Sequence, residues 1–184
     1  MFIELLEQLG LALNAAGIPY MLIGGQAVLL YGEPRLTRDI DLTLGIGPEH
    51  LPDLLKMVEA IGLQVRVADA MQFVTQTMVL PCEQPGTGIR VDFLFSSSSY
   101  EQQALKRARV VTIGRTELRF AALEDLIIHK VIAGRPRDLE DVRTVLLKNP
   151  NTDAAYIRQW LEEFERALAE PYPQRFEEIW KITR

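Results

Sequence analysis

Asp39 and Asp41 stand one residue apart in the run DIDLTL, and a third aspartate, Asp92, interrupts the apolar run IRVDFLF. Alternation over 40–44 and the β-branched and aromatic character of 89–95 predict a strand at each place. Side chains on a strand alternate faces with period two, so Asp39 and Asp41 share one face and Ile40 takes the other. Carboxylates crowded together repel and rarely persist without a cation, and an unpaired one in an apolar strand is costly to bury. Their oxygens suit a hard ion such as Mg2+. If the strands 40–44 and 89–95 are neighbours, Asp39, Asp41 and Asp92 converge on one or two metals. That demand constrains the fold, because it needs a sheet that pairs strands far apart in sequence.

The rest of the pattern supplies such a sheet. Ile3, Leu6, Leu9 and Leu13 recur at helical spacing over 2–16, with Gly17 as a stop and Pro19 beyond it. Residues 20–23 read as a short central strand, and 27–31 as a short helix closed by Gly32 and Pro34. A helix is expected at 48–61, with Pro48 in its first turn. A strand follows at 63–67, then a helix running into a strand over 70–80. After the turn 84–88 and the strand 89–95, the serines 96–99 cap a helix at 100–108. Gly114-Arg115 joins a hairpin of 109–113 and 117–120. Beyond Ala121 only helices are expected: 123–133, 136–147, 153–169 and 173–182. The expectation is an α/β (α+β) domain, residues 1–121, with a mixed β-sheet flanked by helices. A C-terminal helical region, 122–184, packs on it, and Trp160, Phe164, Phe176 and Trp180 read as packing residues.

Several functional classes fall away on composition. A net charge of −5 does not fit a general nucleic-acid binder. One basic stretch exists: Lys106, Arg107, Arg109 and Arg115 lie in 102–116 without an acid. It reads as a solvated face or as the lining of an RNA groove. Cys82 is alone, so no intramolecular disulfide forms, which favours a reducing compartment. The first residues, MFIELLEQLG, lack the basic region of a signal peptide, and no apolar run nears the ~20 residues of a span. A cytoplasmic protein with no membrane partner is expected. With two histidines, His50 and His129, no Ser-His-Asp set is evident.

Gly24-Gly25 follow the first strand and open a helix. Backbone N–H groups there can approach a phosphate, and a helix N-terminus favours its charge; a plain tight turn would look the same. Separated by thirteen residues from D-I-D-L and followed by a later hydrophobic-D-hydrophobic strand, the pair becomes far more specific. This pattern resembles the nucleotidyltransferase superfamily related to DNA polymerase β. GGQAVLLYGEPRLTRDIDL is similar to the first motif of the AbiEii-type, toxin-like bacterial nucleotidyltransferases. LEDLIIHKVIAGRPRDLEDV resembles their helical lysine and aspartate motifs.

The resemblance implies a nucleotidyltransferase fold and an enzyme that moves an NMP from an NTP to a hydroxyl acceptor with Mg2+ (or Mn2+). It implies that Gly24 and Gly25 hold the nucleotide phosphates and that Asp39 and Asp41 hold the metal. Asp92 would complete the site and help deprotonate the attacking hydroxyl. Lys130 would reach the triphosphate, where its bland alternative is to snorkel from a helix surface. Asp138 and Asp141 share a helix face, and the R-D-L-x-D piece resembles the family's last motif without showing which of the two acts. Arg35 and Arg38 would neutralise phosphates or pair with the neighbouring acids, and Thr37 would hydrogen-bond within the site. The acceptor stays open between RNA or tRNA and a small hydroxylated compound of aminoglycoside or lincosamide type. A toxin with an antitoxin partner is one implied role. A non-catalytic nucleotide-binding module is the alternative that the intact acid set argues against.

Overall fold

The computed structural model describes residues 2–33, 37, 39–96 and 98–183. They divide into two compact units, Met1–Gln26 with Thr37–Ala121, and Ala27–Leu36 with Ala122–Arg184. The break after Ala121 lies where the strands end. Residues 27–33, expected with the sheet, group instead with the C-terminal helices.

The first unit is built on a seven-stranded mixed sheet. Its strands are β1 (Tyr20–Leu22), β2 (Asp39–Leu44), β3 (Gln64–Val65), β4 (Val79–Gln84), β5 (Ile89–Phe95), β6 (Arg109–Ile113) and β7 (Thr116–Phe120), in the spatial order β3-β4-β5-β2-β1-β7-β6. β2 runs parallel to β5 and β1 to β7, and the other pairs are antiparallel. One face carries the core: Ile40, Leu42 and Leu44 on β2, Val91, Phe93 and Phe95 on β5, and Leu80 and Cys82 on β4 are all buried.

The helices of this unit follow from local signals. α1 (Phe2–Ala15) buries Leu5, Leu6, Leu9 and Leu13. Its Gly10 lets it lie against β7, since a β-carbon there would meet Leu118 at 2.2 Å. The segment expected as one helix over 48–61 is a 3-10 turn (Pro48–His50) leading into α3 (Leu51–Ala60), which buries Leu51, Leu54 and Val58. In α4 (Ala70–Thr77) the Asp69 carboxylate accepts from the Gln72 N–H at 2.9 Å as N-cap. In α5 (Ser99–Arg107) the Ser98 hydroxyl accepts from the Glu101 N–H. The helix expected from residue 27 begins three residues earlier, as α2 (Gly24–Tyr31), so both glycines lie in its first turn.

The second unit holds the end of α2 with α6 (Leu123–Ala133), α7 (Pro136–Lys148), α8 (Ala154–Leu168) and α9 (Tyr172–Ile182). α6 ends on Gly134 in the left-handed region, and Pro136 opens α7. Leu126, Ile127, Val131, Val142, Val145, Leu146, Ile157, Leu161 and Phe176 form its core. Asn149 donates to the Tyr31 carbonyl at 2.9 Å, and Lys148 donates to the Gly32 carbonyl at 3.0 Å and pairs with Glu33 at 2.8 Å. These contacts tie residues 31–33 to the end of α7. Phe176 packs on Trp180 with ring centroids 5.6 Å apart. Among the described residues no helix is long and apolar enough to cross a membrane.

Candidate active site

The site of the first unit is assembled where β1 ends and β2 begins. The Ile23 N–H donates to the Asp41 carbonyl at 2.9 Å, which holds the turn after β1 against the second acid. Gly24 then adopts φ +61°, and a β-carbon on it would stand 2.2 Å from Asp41 Oδ2. Glycine is thus required twice, by conformation and by the carboxylate pressed against it. The amide of Gln26, a residue 4% exposed, donates to the Asp39 carbonyl at 3.4 Å, and the Thr37 hydroxyl donates to the same carbonyl at 3.3 Å. The glycine turn and the acid strand are therefore one structural piece.

Register then brings in the third acid. Asp41 pairs with Asp92 across the parallel β2–β5 ladder, and Asp39 pairs with Arg90. Residues in register on adjacent strands share a face, so Asp39, Asp41 and Asp92 lie together on the open side of the sheet. Asp39 is exposed and the other two are half-buried, whereas Ile40 and Val91 between them are fully buried. The proton affinity of Asp92 is raised, first by burial and then by the negative charge of Asp39, against the opposing pull of Arg66 and Arg90.

Among the described residues no three His, Cys, Asp or Glu side chains are already gathered as a metal cage. The donor set nevertheless fits a hard divalent cation. It is all carboxylate oxygen, two of its members are in register, and the charge crowding at Asp92 is what a cation would relieve.

In the second unit, Lys130 on α6 meets both acids of α7. Its Nζ lies 2.6 Å from Asp138 Oδ1 and 2.9 Å from Asp141 Oδ2, and the three side chains are 7%, 3% and 8% exposed. Arg135 adds a second cation to Asp138. Burial pushes the Asp138 carboxyl up, but its hydrogen bonds to Arg135 and Lys130 and their charges outweigh this and hold it below the usual carboxylate range. The lysine does not snorkel: it is buried and pinned, and both aspartates of the R-D-L-x-D piece grip it.

Arg35 and Arg38 lie outside the described residues. Lys106 and Arg107 end α5 and Arg109 begins β6, the edge strand on the β1 side of the sheet, away from β5. Three residues that sequence reasoning missed belong to the acidic face or its border: Gln26, Arg66 and Arg90. Arg90 was legible in principle, two residues before Asp92 on a strand and hence on its face. Arg66 had no local signal.

The chain matches, over residues 4–183, the family model described as the nucleotidyl transferase AbiEii toxin of a type IV TA system. Comparison with curated proteins gives no match. Among solved structures it is similar to the antibiotic-resistance factor ANT(2'')-Ia, with TM-score 0.64, 16% identity, and 91% of this chain and 94% of that one covered. It is similar to an antigenic nucleotidyltransferase-like protein from Paracoccidioides brasiliensis, with TM-score 0.58, 15% identity, and coverage of 91% and 88%. It is also similar to the lincosamide antibiotic adenylyltransferase LnuA in its lincomycin-bound form, with TM-score 0.51, 16% identity, and coverage of 72% and 89%. At these identities the likeness is one of fold, the mixed sheet with flanking helices that nucleotidyltransferases share.

Proposed function

The chain belongs to the AbiEii nucleotidyltransferase family, enzymes that transfer nucleotides, and from that premise we propose that it moves an NMP from an NTP to a hydroxyl acceptor at Asp39, Asp41 and Asp92 with a divalent metal. The observation that carries this reading is the contact between Gly24 and Asp41, which joins a phosphate-binding turn to a metal-binding strand. Mg2+, or Mn2+, held by the three carboxylates would neutralise phosphate charge and favour in-line displacement.

The chain's own groups do the rest. N–H groups in the first turn of α2, which holds Gly24 and Gly25, would bind the phosphates. Gln26 and Thr37 fix the backbone of Asp39, which aims its carboxylate. Asp92, whose proton affinity is raised, accepts the acceptor's hydroxyl proton on a carboxylate oxygen. The acceptor oxygen bonds to the α-phosphorus as the bond to the β-phosphate bridge breaks, and pyrophosphate leaves. Such chemistry needs positioning and charge more than a protein nucleophile, which suits this chain. Lys130 has three N–H donors, and the carboxylates of Asp138 and Asp141 take two. By the family resemblance the lysine itself is the group proposed to reach the triphosphate.

The test is to incubate the protein with each labelled NTP, Mg2+ and total RNA or a small-molecule acceptor panel. Label should reach an acceptor and vanish with Asp39→Ala/Asp41→Ala; transfer that survives the double variant sinks the assignment. The family description also supports a toxin role with an antitoxin partner. Its measure is growth arrest on expression that needs the same two acids.

A further inference from the structure

The order of groups across the acidic face carries information about the acceptor. The glycine turn follows β1, on one side of β2. Asp39 and Asp41 are on β2. On the other side come β5, β4 and β3, and there two arginines border the acids. One row, in register, is Asp39, Arg90, Glu83 and Gln64; the next is Asp41, Asp92 and Pro81. Arg66, one residue past β3, extends that second row, since its N–H donates to the Pro81 carbonyl at 2.9 Å. Proline at position 81 puts no long side chain between Asp92 and Arg66. Glu83 steadies the Arg66 guanidinium at 3.2 Å, and both side chains remain about two-fifths exposed (38% and 41%). Arg90 is exposed.

In-line transfer puts the leaving pyrophosphate and the attacking oxygen on opposite sides of phosphorus. With the phosphates at Gly24 and Gly25, beyond β2, the attacking hydroxyl comes from the β5 side, where Asp92 waits. Past Asp92 it meets two guanidinium groups and one carboxylate, Glu83, which is paired with Arg66. We infer that Arg90 and Arg66 form an acceptor-side anion subsite and that the acceptor is the hydroxyl end of a polynucleotide strand, whose nearest phosphate they bind. This deepens the proposed function and rests on it. A guanidinium offers planar paired donors that match a phosphate, and a strand end has a phosphate one sugar away from its terminal hydroxyl. Arg109 and Arg115 are not this subsite, because β6 lies at the opposite end of the strand order.

The probe is a labelled single-stranded oligoribonucleotide with a free 3' hydroxyl, titrated into the wild type and into Arg66→Ala/Arg90→Ala at several salt concentrations. Both positions are exposed at their side chains, so the variant should keep the wild-type melting temperature. Its oligonucleotide Kd should rise roughly tenfold or more. The slope of log K against log salt should flatten by about 1.4, two contacts at ~0.7 each. The binding of NTP with Mg2+, read by thermal shift, should stay within about twofold, and Arg66→Lys/Arg90→Lys should fall between the two on oligonucleotide affinity. Unchanged oligonucleotide binding, an equal loss of NTP binding, or a wild type that prefers tobramycin to the oligonucleotide overturns the inference. Failure of the underlying reading has a different signature: NTP and Mg2+ binding that Asp39→Ala/Asp41→Ala leaves intact.

Discussion

The carboxylate of Asp41 fills the space where a β-carbon on Gly24 would be, 2.2 Å from Oδ2. A residue just past the end of one strand thereby sets the approach of an acid on the next, and the glycine turn cannot move without the acid strand.

Gly24→Ala should therefore cost function more than stability. The left-handed backbone penalty is about 1–2 kcal/mol, a tolerable loss, while the added methyl displaces the Asp41 carboxylate. Transfer should fall by roughly a hundredfold, since a misplacement of about 1 Å can cost that much, with the melting temperature lowered by only a few degrees. Label transfer and a thermal melt on the same preparation check it. A variant that melts early and transfers normally would show that the contact serves folding alone.

Lys130→Met tests the buried cluster of the helical unit. Removing the ammonium takes away the cation that two buried carboxylates share, with Arg135 still on Asp138, and breaking a buried group by one partner costs about 3–5 kcal/mol. Adding Asp138→Asn and Asp141→Asn to Lys130→Met should recover much of that loss in urea denaturation, because the uncompensated charge is then gone. A single variant as stable as the wild type would contradict the picture.

Acid should find the same cluster through Asp138. Its folded pKa lies below the ordinary value of 3.8, so the ionised form is the one the fold favours. The stability it contributes is present above the ordinary pKa and is lost as pH falls through the lower, folded value. Denaturation midpoints measured from pH 6 down to pH 2 should fall for the wild type. They should fall less steeply for Asp138→Asn, which starts lower and has no such carboxylate to protonate.

Cys82 should be inert while the protein is folded. Burial, and secondarily the charge of Asp92, push its thiol up to about 12, and the side chain is fully buried on the core face of β4. At pH 8 it should react with a disulfide reagent only as fast as the first unit opens. Labelling should therefore accelerate with urea in step with unfolding. Rapid stoichiometric labelling in buffer would place the thiol at the surface.

What could be read from the chain alone rests on local physics. The period of a strand put Asp39 and Asp41 on one face, and the need of crowded carboxylates for a cation made them a candidate site. The stop signal at Gly17, the serine cap before α5 and the Gly114 hairpin are short-range effects of backbone conformation and nearby donors, so the elements they bound were legible. Ambiguity fell on 70–80, where Met78 in the left-handed region separates α4 from β4. A non-glycine residue with positive φ gives little warning in sequence.

Tertiary structure decided everything that depends on which elements meet. β2 and β5 are neighbours in a register that sets Asp41 beside Asp92 because a one-residue slip would turn Ile40, Leu42 and Leu44 out of the core. Arg66 joins the acidic face only because β3 pairs with β4 and β4 with β5. Residues 27–33 group with the C-terminal helices because Lys148 and Asn149 hold the carbonyls of Gly32 and Tyr31. Lys130 is locked by Asp138 and Asp141 because the turn at Gly134 folds α7 back on α6. Each of these is a choice among pairings of similar local quality, and burial of complementary faces, summed over the whole unit, selects one.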